Sequence, residues 1–338
     1  MRTEKINIQR DNGEIVEAQA PVILSASRST DIPAFYTDWF FHRLNVGYSA
    51  WVNPYNNVRS YISYRNTRLI VFWSKNSKPL LPYLDILKEK RINCYIQYTL
   101  NDYEKENLEK GVPALDDRID TFRQLVEKLG YGKVIWRFDP LILTDHITID
   151  NLLNKIEYIG DELKGYTEKL VFSFADITSY RKVKNNLDNN HIRYREFDET
   201  TMNEFARQLA QLNKKWGYTL ATCGEKVDTK QFGIQHNRCI DDDLIARYFA
   251  DDKVLMDYLG IKIHNEGLFD SMHIVHQKSN KDKGQHLFCG CIASKDIGEY
   301  NTCPHQCEYC YANTTKELAI KNWKNHCNNR VGETITGQ

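Results

Sequence analysis

Cysteines are the residues of this chain best able to do chemistry, and five of the nine fall within residues 288–311. Cys303, Cys307 and Cys310 stand at a C-x3-C-x2-C spacing. Three thiolates on one tight loop can hold three irons of a cubane iron–sulfur cluster and leave the fourth iron open. A structural zinc normally takes four protein ligands, often as two C-x2-C pairs. The triplet therefore points to a cluster that binds something, with a zinc knob or an inert structural cluster as the plainer alternatives. Tyr309 precedes the last cysteine and Tyr311 follows it. Cys223, Cys239 and the pair Cys289/Cys291 sit beside Gly, polar or charged residues, unlike buried apolar thiols. Together they supply four thiolates, enough for a second, closed 4Fe–4S cluster or a structural zinc. Individually they could also be inert. Cys94 opens an apolar run and reads as core, and Cys327 has no companion by sequence. An odd count excludes complete internal disulfide pairing.

The composition narrows the function classes. Lys+Arg total 45 and Asp+Glu 45, so the formal net charge is zero over 338 residues. Nothing global favours a nucleic-acid partner, although a local basic patch would not show in the sum. Apolar runs are far too short to cross a bilayer, and the first residues lack the apolar stretch of a signal peptide. A cytoplasmic protein with reduced thiols and no membrane partner is the expectation. Neither G-x-x-x-x-G-K-[ST] nor G-x-G-x-x-G occurs, so nucleoside-triphosphate and dinucleotide readings gain no support.

These residues need a scaffold, and the patterning supplies one. Nearly continuous apolar runs at 21–27, Tyr48–Val52, 68–74, 94–100, 134–139, 170–175 and 218–223 read as strands. Helical periodicity separates most of them, at 34–44, 79–90, 117–129, 149–163 and 202–216. Strands of this kind divided by helices predict an α/β fold with a parallel sheet, a complete or partial (β/α) barrel. Polar groups gather where strands end: Arg28, Ser29, Thr30 and Asp31; Lys75; Gln97; Arg137 and Asp139. In a (β/α) barrel that rim builds the active site; each cluster alone could be ordinary loop polarity. The chain divides into 1–222, the main part of the barrel; 223–291, a cysteine-containing insertion; and 292–338, a strand, the cysteine loop and a helix.

The loop resembles that of the radical S-adenosylmethionine (SAM) enzymes, whose motif is C-x3-C-x-aromatic-C. The resemblance implies that Cys303, Cys307 and Cys310 ligate a 4Fe–4S cluster whose open iron is chelated by SAM. It also implies oxygen sensitivity, an external flavodoxin or ferredoxin-type electron donor, and cleavage of SAM to start radical chemistry on a substrate that the sequence leaves open. Tyr309 would pack near the adenine. Such loops usually follow the first barrel strand near the N-terminus, whereas here the loop comes last. Residues 292–297 would then be the first strand of the usual order, 315–326 its helix and 21–27 the second strand, as in a circular permutation. That arrangement is physically allowed when termini lie close together.

The barrel segments 72–75 and 137–140, with the loop, distantly resemble spore photoproduct lyase and the DNA repair photolyase-like proteins. A nucleic-acid lesion-repair lyase is therefore the alternative enzyme, and a non-catalytic iron–sulfur or zinc protein the alternative of another class. Most of the chain resembles the family called domain of unknown function 1848, through Cys289-Gly-Cys291 and the stretch from Asp296 to Ala312. Within the radical SAM resemblance, Tyr311, Lys75, Arg137, Ser29, Thr30 and Asp31 are cofactor-binding candidates. Arg28, Gln97 and Asp139 are substrate-binding candidates, with ion pairs and helix caps as the simpler roles. Tyr98 and Cys94, on one strand, are the candidate hydrogen donors. His273 with His276, and Asp241 to Asp243, are more cheaply explained by a solvated surface or a helix N-terminus than by a metal.

Overall fold

The computed structural model describes residues 3–53, 56, 58–266, 271–285 and 288–338. Eight strands form one sheet: β1 (Ile23–Ala26), β2 (Leu69–Ser74), β3 (Asn93–Thr99), β4 (Val134–Leu141), β5 (Lys169–Phe174), β6 (Thr219–Thr222), β7 (Gln235–His236) and β8 (Lys295–Asp296). Their order is β7-β6-β5-β4-β3-β2-β1-β8, and every neighbouring pair is parallel. The hydrogen-bonded order runs from β7 to β8 without joining the two among the described residues. The last strand of the chain thus lies beside the first, with Lys295 opposite Leu24 and Asp296 opposite Ser25.

Helices fill the crossovers, as parallel pairing requires. They are α1 (Ile32–Phe35) and α2 (Thr37–Val46) before β2, α3 (Leu84–Glu89), α4 (Leu115–Leu129), α5 (Ile149–Glu162), α6 (Arg181–Asn189), α7 (Glu199–Leu212), α8 (Asp242–Tyr248), α9 (Lys253–Leu259) and α10 (Lys316–Asn328). Local chemistry sets their ends. Thr148 and Asp198 make capping boxes at α5 and α7. In α4, Ile119, Phe122, Leu125 and Val126 recur at helical spacing and are buried.

Alternation along the strands sorts side chains onto two faces. Leu24, Ile70, Phe72, Ile96, Tyr98, Trp136, Phe138, Leu170 and Phe172 share one core with buried residues of α2 to α7. Ile23, Leu69, Val71, Tyr95, Ile135 and Val171 share a second core with Cys239, Ile240, α8, α9, Cys291 and Ile292. The segment after β7 therefore covers one face of the sheet. It also carries an antiparallel hairpin of strands Ile261–Glu266 and Ser271–His276.

Two expectations are corrected. Tyr48–Val52 does not join the main sheet: it pairs antiparallel with Arg59–Ser63 in a separate four-stranded sheet with Ile15–Ala20 and Glu4–Gln9. Its apolar residues suit either sheet, and pairing is what distinguishes them. The single helix expected at 34–44 is broken at Tyr36, which caps α1 and precedes α2.

Candidate metal centres

The cysteine loop follows β8 and rests on the segment after β3. Gly111 N donates to His305 O at 2.8 Å, and Glu308 N donates to Leu108 O at 2.9 Å. Glu109 and Cys307 form an isolated antiparallel bridge. A Cβ on Gly111 would stand 2.7 Å from His305 O and 2.8 Å from Pro304 O, so only glycine permits this approach. On the other side, Asn313 Nδ2 donates to Cys303 O at 2.7 Å.

Within this frame the three loop thiols act on one another electrostatically. The charges of Cys303 and Cys310 bear on Cys307, and that of Cys310 on Cys303. Burial pushes all three thiols above their ordinary value, so they are protonated until a metal displaces the protons. Backbone N–H groups of His305 and Asp31 reach Cys303, and those of Asn313 and Ala312 reach Cys310. His305, the histidine inside the motif, has both ring nitrogens committed. Nε2 pairs with Asp31 Oδ2 at 2.8 Å and Nδ1 with Gly111 O at 3.1 Å. The loop thus offers three sulfurs and withholds the nearest fourth ligand. That donor set fits a cubane with one open iron better than a four-ligand zinc site.

Beside Cys307 lies a buried polar group that sequence reasoning had only half identified. Lys75 Nζ meets Glu109 Oε1 at 2.7 Å and Tyr309 OH at 2.8 Å. Tyr309 OH also donates to Glu109. Asn101 Nδ2 donates to Tyr309 OH at 3.1 Å and Glu109 Oε1 at 3.3 Å. Burial pushes Glu109 up, but Lys75 and Arg118 outweigh it and hold the carboxyl below its usual range. Glu109 and Asn101 carried no motif signal, because residues distant in sequence from the cysteines leave no spacing to read; His305 lies inside the motif, but its spacing does not show which way its ring turns.

The remaining cofactor candidates have these surroundings. Asp31 caps α1 through Ala34 N at 3.0 Å, accepts from Lys75 N at 2.8 Å and holds His305. Ser29 Oγ contacts Ser27 Oγ at 3.1 Å. Thr30 is buried, with an unpartnered hydroxyl. Tyr311 is exposed and donates to Arg28 O at 2.5 Å.

Cys223, Cys239 and the pair Cys289/Cys291, from three places in the sequence, form a second assembly. Cys223 Sγ is 3.4 Å from Cys239 Sγ. Cys239 also interacts with Cys291, and Cys291 with Cys289. Cys239 N also donates to Cys291 Sγ at 3.2 Å. Cys239 is held well below its ordinary value by its bonds to Cys223 and Cys291, with Arg137 and Arg28 adding to the effect. Arg137 Nη1 donates to Cys239 Sγ at 3.1 Å and Gln97 Oε1 at 3.1 Å, while Nη2 pairs with Asp139. Asn237 Nδ2 donates to Cys239 Sγ at 3.2 Å, and Gln97 Nε2 to Cys239 O at 2.8 Å.

Arg28, Gln97, Arg137 and Asp139 therefore gather around the second cysteine set, while Lys75 and Tyr309 stand beside the loop. One bonded path links the groups: Tyr309 to Asn101, Asn101 Oδ1 to Asp139 N at 2.8 Å, and Asp139 to Arg137. Cys94 and Tyr98 are elsewhere, buried in the helix-packed core. Because alternate residues of β3 point to opposite faces, they face away from Tyr95 and from Gln97, which bonds to Cys239. Asp242, Asp243 and His276 bring ligand atoms within 4.8 Å of one another, but Arg238 pairs with both aspartates, making an ion-pair network. Cys327 is exposed. No helix is long and apolar enough to cross a membrane among the described residues.

A family model described as "Domain of unknown function (DUF1848)" matches residues 23–312, from β1 through the cysteine loop. No curated protein matches the chain.

Proposed function

Since the chain belongs to the DUF1848 family, whose description assigns no activity, we propose from the site itself that it is a radical SAM enzyme with a 4Fe–4S cluster at Cys303, Cys307 and Cys310. The observation that carries the proposal is the loop's donor set: three thiols of one loop, Cys307 buried and Cys303 and Cys310 half-buried, whose charges bear on one another, with His305 turned away to Asp31 and Gly111 O. When bound, the cluster supplies the electron that cleaves SAM reductively, delivered by an external flavodoxin or ferredoxin-type donor. The chain's own residues do the positioning. Gly111 and Asn313 hold the loop backbone, Asp31 holds the His305 side chain, and Lys75 supplies a buried positive charge beside Cys307. The four-thiol set at Cys223, Cys239, Cys289 and Cys291 is a separate metal centre in this reading.

The test is anaerobic purification, reconstitution with iron and sulfide, and reduction in the presence of SAM. Formation of 5′-deoxyadenosine that disappears in Cys307→Ala is the expected result. A protein that takes up only zinc and never cleaves SAM overturns the proposal. Replacing Cys289 and Cys291 by Ser should leave about one cluster of iron per chain, with SAM cleavage chemistry at the loop retained.

A further inference from the structure

We infer that Cys223, Cys239, Cys289 and Cys291 bind a single zinc ion, which staples the two outer strands of the main sheet to each other. This concerns the second metal centre of the proposed function and does not rest on SAM chemistry at the loop. A count of four thiols allows one ion or a closed cluster equally, and sulfur spacing separates the two. A tetrahedral zinc with bonds of about 2.3 Å holds its sulfurs about 3.8 Å apart. Cys223 Sγ and Cys239 Sγ stand 3.4 Å apart, and Cys291 interacts with Cys239 on one side and Cys289 on the other. Thiolates on separate irons of a cubane stand farther apart, because iron and sulfide lie between them.

The surroundings are those of a closed thiolate site. Cys239 Sγ accepts from Arg137 Nη1 at 3.1 Å and from Asn237 Nδ2 at 3.2 Å, and Cys291 Sγ accepts from Cys239 N at 3.2 Å. Donors of this kind orient metal-bound thiolates and stabilise their charge. Four thiolates on a divalent ion leave a net negative charge, and Arg137 and Arg28, whose charges both bear on Cys239, offset it. An all-sulfur, four-ligand set suits zinc and leaves no position open, so the ion's role is structural. As it binds, the thiol protons pass to water, and no electron moves.

The place of the thiols in the fold gives the ion its task. β7 and β8 end the sheet on its two sides and share no ladder among the described residues. Cys239 follows β7, while Cys289 and Cys291 precede β8. Cys223 directly follows β6, and its N–H donates to Phe172 O at 2.8 Å. The sulfurs therefore straddle the seam between the outer strands, where Ile292 N also donates to Ile240 O at 3.1 Å. An open edge presents unpaired backbone groups, and an ion with ligands from both sides holds the edges without a ladder. Tyr95 OH and Gln97 Nε2, both on β3, donate to Cys239 O at 2.7 and 2.8 Å and tie the same site to the middle of the sheet.

The experiment uses the full chain with Cys303, Cys307 and Cys310 replaced by Ala, offered zinc in one preparation and iron with sulfide in another. Metal analysis should find about one zinc per chain, and cobalt(II) put in its place should give the absorption of a tetrahedral thiolate site. Cys239→Ser should lose both. Hydrogen exchange then reads the staple: removing zinc with a chelator should speed exchange of amides in 235–240 and 289–296 by about tenfold or more. Amides of β3 and β4 should keep their protection, and zinc added back should restore the seam. If Cys239→Ser does not fold, this reversible removal decides. About four irons per chain with sulfide and no zinc would overturn the inference, as would one redox-active iron, or exchange at the seam that zinc removal leaves unchanged. Failure to form 5′-deoxyadenosine in the unmodified protein would count against the loop proposal and leave these measurements untouched.

Discussion

Glu299 lies between β8 and the cysteine loop and is almost wholly buried. Burial raises its pKa from 4.5 to about 7, opposed by a backbone hydrogen bond from Val52 and by Arg59. Below about pH 4.5 both folded and unfolded chains hold this proton, and above about 7 both have lost it. Between those values folding takes up a proton, so stability falls as pH rises, by about 3 kcal/mol across the window. Glu299→Gln should remove that slope, as measured by urea unfolding from pH 4.5 to 7. Lys75 tests the opposite situation, a buried charge satisfied by its partner. Lys75→Met leaves Glu109 with Arg118 Nη1 at 3.9 Å as its remaining cation. We expect a loss of about 3–5 kcal/mol, partly recovered when Glu109→Gln is added, in equilibrium denaturation of the metal-free protein.

At the scale of elements, the loop is held by backbone pairing to residues 108–111 on one side and by α10 on the other. Thr315 caps α10 by accepting from Leu318 N, and Lys316 in its first turn meets Glu308 at 2.6 Å. Glu308 is fully buried and also takes Lys110 at 3.0 Å and Asn190 Nδ2 at 2.9 Å. Gly111→Ala drives a methyl group into the backbone at Pro304 and His305. It should cost about 1–3 kcal/mol and displace Cys303 and Cys307 together. Iron bound after reconstitution should fall by about one cluster, while the second set, on other elements, retains its metal.

Across the whole molecule, the two ends of the described chain are fastened together. Glu333 accepts from Arg10 Nη2 at 2.8 Å and from Tyr48 OH at 2.6 Å, and its carbonyl accepts from Ala50 N at 2.8 Å. Trp39 Nε1 on α2 donates to Gly332 O at 2.9 Å. This clamp ties the segment after α10 to the small N-terminal sheet and to the helix after β1, the strand that β8 joins. Glu333→Ala removes the two-pronged pair with Arg10 and the bond from Tyr48 and should lower stability by about 2 kcal/mol, read from the denaturation midpoint. Its effect on iron content should be smaller than that of Gly111→Ala, because the clamp lies farther from the thiols in the fold.

The alternation of apolar runs with helical periods was enough to read an α/β fold with a parallel sheet, because those patterns follow from side-chain direction along a strand and a helix. Local spacing likewise singled out Cys303, Cys307 and Cys310, which one short loop must bring together. Sequence also named Cys223, Cys239, Cys289 and Cys291 as a set, but their meeting depends on the packing of Cys239, Ile240, α8, α9, Cys291 and Ile292 onto one face of the sheet. The same packing gives Arg137 and Arg28 to that set and leaves Lys75 with Glu109 beside the loop; all three had looked alike as rim cations. Tyr48–Val52 was legible as a strand but not as a member of a second sheet, since its pairing depends on Arg59–Ser63. Sequence determined what lies within a few residues, where covalent spacing limits geometry. Tertiary structure decided which distant thiols, cations and carboxylates share a low-dielectric interior, because only the closed fold sets those distances and removes the water between them.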